Sequence, residues 1–64
     1  GAKKIAKSKS AISMARKFME VSDTVTDENR EKAEALIAEI EEKLAEKNST
    51  RAFSLSEKLN KLFG

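Results

Sequence analysis

Between its terminal glycines this chain contains neither glycine nor proline. The strongest backbone breakers are therefore missing from the whole interior, and turns must come from side chains that compete for backbone N–H groups. Two clusters of such side chains occur, Ser22-Asp23-Thr24-Val25-Thr26 and Asn48-Ser49-Thr50. They divide the chain into three segments, each read as a helix.

The middle segment has the most regular pattern. Ala33, Leu36, Ile37, Ile40 and Leu44 recur at spacings of three and four and so line one helix face. Thr26 is the expected N-cap. Asp27 and Glu28 stand in the first turn, where negative charge suits the helix dipole, and Lys43 and Lys47 stand near the far end. Glu28 with Lys32 and Glu39 with Lys43 are i,i+4 pairs in the favourable order, and Asn48 is read as the C-cap. In the last segment Ala52, Leu55, Leu59, Leu62 and Phe63 form a stripe. Ser54-Leu55-Ser56-Glu57 fits the S-x-x-E capping box, which puts the helix start at Ser54 or, a turn earlier, at Thr50.

The first segment carries two stripes. Ile5, Ile12, Ala15 and Met19 make one, and Ala11, Met14, Phe18 and Val21 make another beside it. Together they cover more of the circumference than a surface helix of a lone bundle needs, so residues 11 to 21 are expected to lie between two neighbours or against a second chain. Residues 1–9 hold one large apolar side chain, Ile5, and are read as a flexible basic tail on a single helical domain spanning 1–64. Gly1-Ala2 has the form of a scar left by tag removal.

Short connections favour antiparallel neighbours, so the expected fold is all-α, an up-down-up three-helix bundle. The alternative is a helical hairpin that dimerises. A chain of 64 residues buries a modest share of its surface. Without cysteine or histidine, packed helices or self-association must supply its stability. Lack of cysteine also removes the disulfide framework of many small secreted domains, which favours a cytoplasmic or otherwise intracellular location. No apolar run nears the ~18 residues of a membrane span, and no apolar stretch ahead of a small-residue cleavage site reads as a signal peptide.

Several chemistries have no footing. Catalysis usually draws on histidine, cysteine or a desolvated carboxylate in a cleft; the first two are absent and the carboxylates fall mostly on an exposed helix face. No enzyme activity, cofactor or metal is expected. There is no internal glycine for a phosphate loop. Asp23, Asp27 and Glu34 stand at positions one, five and twelve of an EF-hand loop. Val25 and Glu28, however, occupy the third and sixth positions, where an oxygen ligand and a glycine are required.

Charge is unevenly spread. Lys3, Lys4, Lys7, Lys9, Arg16 and Lys17 all precede the first acid, Glu20, whereas Glu28, Glu31, Glu39, Glu42 and Glu46 project from the outer side of the middle helix. That acidic face reads as a solubilising surface, or as a dock for the basic first helix of another copy.

Two functional expectations follow. The first is a protein-interaction or oligomerisation module that engages another protein, or itself as a homo-oligomer, through Ala11, Met14, Phe18 and Val21. Exposed apolar area of this kind marks interfaces, and methionine adapts to irregular partners. The alternative is a nucleic-acid-binding protein contacting phosphates through Lys3, Lys4, Lys7, Lys9, Arg16 and Lys17. No aromatic side chain interleaves with those lysines to stack a base, and the net charge is only +2. A membrane partner is not expected, because the same apolar residues are needed for folding.

Overall fold

The computed structural model describes residues 2–63; Gly1 and Gly64, the ends of the expected domain, lie outside them. Three helices follow one another, α1 (Ala2–Val21), α2 (Asp27–Ala45) and α3 (Ser49–Phe63), with no strand among the described residues. They form the up-down-up bundle expected from the short connections. The last helix is the keystone: α3 packs along both α1 and α2, while α1 and α2 meet only sparingly.

Each connection has a local cause. At the end of α1, Ser22 N–H still donates to Phe18 O at 2.9 Å, and the Ser22 hydroxyl then accepts from Thr24 N–H at 3.3 Å, turning the chain outward. Thr26 caps α2 as expected, its Oγ1 accepting from Asn29 N–H at 3.1 Å in extended backbone geometry. Val25 in the loop packs against the core.

The second connection differs from the sequence expectation. The C-cap of α2 is Glu46. Lys47 follows with φ of 61°, donating to Leu44 O at 3.0 Å, and Asn48 N–H donates to Lys43 O at 2.9 Å. This is the Schellman arrangement. Asn48 serves instead as the N-cap of α3, its Oδ1 accepting from Arg51 N–H at 3.2 Å. With that cap in place α3 begins at Ser49, and Ser54 lies inside the helix rather than opening it. Ser56 turns inward, buried, and donates to Ala52 O at 2.7 Å. Lys43 pairs with Glu46 at 3.3 Å rather than with Glu39, whereas Lys32 and Glu28 pair as expected at 3.2 Å.

A lysine in the left-handed region carries a Cβ clash that glycine avoids. Lys47→Gly is therefore expected to raise stability by about 0.5–1 kcal/mol, read as a higher urea midpoint with unchanged slope. A lower midpoint would mean that the Lys47 side chain contributes more than its backbone costs.

The core consists of Ala11, Ala15 and Met19 from α1, Ala33, Ile37 and Ile40 from α2, and Ala52, Leu55 and Leu59 from α3. Leu36, Leu44, Leu62 and Phe63 are partly buried against it. For α1 this corrects the sequence reading in two respects. Its buried face is Ser8, Ala11, Ala15 and Met19, at spacings of three, four and four, while Ile5 and Ile12 are only half-buried. The segment read as a basic tail is also helical from Ala2 and contributes a fully buried residue. Ser8 fits there because its hydroxyl donates to Lys4 O at 2.8 Å, leaving no polar atom unsatisfied.

The charges of α1 run against its own dipole. Its first turn holds Lys3 and Lys4 and no acid, and its last turn holds Glu20 and no base. Arg30 of α2 partly compensates, donating to Met19 O at 3.4 Å. The helix thus depends on its contact with α3, and that contact leaves much of its apolar circumference uncovered.

Candidate functional site

Because α1 and α3 run parallel, their side chains meet in register along one side of the bundle, away from α2. Lys7 reaches Phe53 near one end, and Phe18 reaches Phe63 near the other. Between these contacts lies a groove of about 580 Å³. Lys7, Ser10, Met14 and Phe18 form the α1 wall, Phe53, Glu57, Asn60 and Phe63 form the α3 wall, and Ala11 and Ala15 make the floor. A shallower depression of about 250 Å³ continues from it, bounded by Met14, Lys17, Phe18 and Val21.

The small floor residues explain the depth. With Ala11 and Ala15 where larger side chains would fill the seam, the walls stand above it unopposed. Met14 is 66% exposed and Val21 68%, and Phe18 retains 38% exposure despite its ring contact. That contact is a tilted pair with Phe63, centroids 5.0 Å apart at 41°, a favoured aromatic geometry. The Lys7 ammonium lies 5.6 Å from the centroid of Phe53, within range of a cation–π attraction.

Of the four residues expected to form a partner surface, the structure brings Met14, Phe18 and Val21 together on the exposed side. Ala11 is separated from them: it is 3% exposed and belongs to the core. The α3 wall was not anticipated. Its signal was Phe53, an aromatic residue outside the core stripe of its own helix, followed at four and seven positions by Glu57 and Asn60. Only the relative placement of two helices reveals what that side chain faces.

The six basic residues do not converge. Lys3, Lys4, Lys7 and Lys17 fall on the groove side of α1, Lys4 seven positions before the floor residue Ala11, whereas Lys9 and Arg16, seven apart, lie on the other side. Arg16 is paired with Glu41 of α2 at 3.5 Å, an exposed contact. Among the described residues no group of three or more acidic, histidine or cysteine side chains is placed to hold a metal ion, and no helix is long and apolar enough to cross a membrane. The chain matches no protein-family model, no curated protein and no solved structure.

Proposed function

We propose that this chain is a non-catalytic protein-interaction module that receives a helix of another protein in the groove between α1 and α3. The observation that carries this reading is the continuous apolar surface made by Met14, Phe18 and Val21 with Phe53 and Phe63. These include every large apolar residue described as exposed. Apolar side chains scattered over a surface are ordinary; those concentrated on one groove mark an interface. An open trough between parallel helices suits an amphipathic helix, which presents anchors at every third or fourth residue.

The phosphate-binding alternative is weaker on charge grounds. A polyanion needs its cations on one face, and here they divide between two, with Arg16 engaged by Glu41.

A photo-crosslinking residue in place of Met14 should give a discrete adduct in cells, while the same residue at exposed Ala38 on α2 should not. The adduct should vanish when Phe18→Glu is added, with helical circular dichroism retained. Equal adducts from both positions, or an adduct indifferent to Phe18→Glu, would remove the docking reading. An adduct of twice the chain mass would identify the partner as a second copy.

A further inference from the structure

We infer that the segment docking in the α1–α3 groove is an acidic amphipathic helix, its apolar stripe filling the groove and its carboxylates meeting Lys7 and Lys17. This rests on the docking reading above and adds the chemistry of the partner.

The argument begins with which charges border the groove. Lys7 stands on its rim, held over the Phe53 ring, and Lys17 borders the depression that continues it. Among the described residues neither lysine has a carboxylate partner; Arg16 of α1, which does, faces the other way toward Glu41. Among the described residues the single acid on the groove is Glu57. Eleven acids are present in the chain, yet the described residues that border the apolar trough bring two ammonium groups and one carboxylate. Charges around an apolar docking site select the partner and its orientation more than they add affinity.

A second copy fits this surface poorly. Two grooves face to face would gather four ammonium groups and two carboxylates in one seam. The acidic outer face of α2 offers the right charge, but among the described residues the exposed large apolar side chains are Met14, Phe18 and Val21, all on α1, and α2 presents none to insert. The occupant is therefore a different chain that combines an apolar stripe with acidic flanks. Lys7 and Lys17 are ten positions apart, about 15 Å along the axis. The partner's two carboxylates should accordingly stand ten or eleven residues apart on one flank.

The test is selection from a displayed library of amphipathic helices whose flanking positions vary among Glu, Gln and Lys, run in parallel on the wild type and on Met14→Glu. Expected are Met14-dependent sequences with Glu enriched at two flank positions ten or eleven apart. Changing both to Gln should weaken binding about five-fold at low salt, the effect of two exposed ion pairs, and the difference should fade toward 1 M salt. The double variant Lys7→Glu, Lys17→Glu should turn the preference to Lys. Met14-dependent helices without an acidic preference would overturn this inference and leave the docking reading standing; no Met14-dependent helices would overturn both. A wild-type dimer in sedimentation that Met14→Glu dissolves would assign the groove to a second copy. A single-stranded oligonucleotide binding through Lys7 and Lys17 more tightly than any selected helix at physiological salt would assign it to nucleic acid. Either result refutes the acidic helix.

Discussion

Leu59→Ala is expected to leave most of the chain unfolded at 25 °C. Leu59 is fully buried on the one helix that packs along both others, so its truncation opens a cavity that no single neighbour can close. Such changes cost about 2–5 kcal/mol, while a core in a chain of this size rarely supplies more than about 3–5 kcal/mol in all. The measurement is far-ultraviolet circular dichroism with a urea titration. Loss of the native baseline is the expected outcome, and Leu59→Met, which conserves volume, should retain a cooperative transition within about 1.5 kcal/mol of the wild type. If Leu59→Ala melts like the wild type, α3 is not the element on which the bundle depends.

The reason α3 has this role bears on how much of the fold could be read from residues alone. The stripe of α2 was legible because its apolar residues are large, closely periodic and flanked by acids. Ala33, Ile37 and Ile40 are buried, and Leu36 and Leu44 half-buried, as the spacing implies. The stripe of α1 was harder because three of its four buried members, Ser8, Ala11 and Ala15, are small and one of them is polar. A hydrophobicity pattern passes over Ser8, although a serine bonded to its own backbone fills a tight seam as alanine does. Ile5 and Ile12 attract attention by size and yet sit at the margin.

Local motifs misled where two of them competed. Asn48 is suited both to a left-handed helix end and to an N-cap, and the choice falls to the N-cap because Lys47 takes the strained backbone position. Once α3 starts there, Ser54-Leu55-Ser56-Glu57 is an interior turn and its capping-box form has no end to cap. The candidate site divides in the same way. The excess of apolar surface on α1 could be counted on one helix, but Phe53 and Phe63 enter only when α3 is laid parallel to it, and that requires the tertiary arrangement.

Ala11 separates these levels most sharply, and its enlargement should have the second large effect. If Ala11 belonged to the partner surface with Met14, as its position in the sequence pattern implies, then Ala11→Leu would enlarge an exposed stripe, leaving stability unchanged and tightening association. The structure instead places it at 3% exposure beneath the groove, on the seam where α1 lies against α3. Leucine there overfills the seam against α3 and must push α1 outward or turn up into the groove floor in a strained rotamer, at a cost of about 1–3 kcal/mol. Because α1 has adverse charges at both ends and little contact with α2, it has few other interactions to hold it. Hydrogen exchange should therefore accelerate first in α1, ahead of α2 and α3, with the urea midpoint lowered. Binding of any groove-dependent helix should weaken in parallel, since both walls are referred to that seam. Met14→Leu is the matched control, an exposed change of similar volume expected to alter stability by no more than about 0.5 kcal/mol. Should Ala11→Leu instead match the wild-type midpoint and bind more tightly, the side chain faces the partner and α1 is rotated relative to α3 from the arrangement described above.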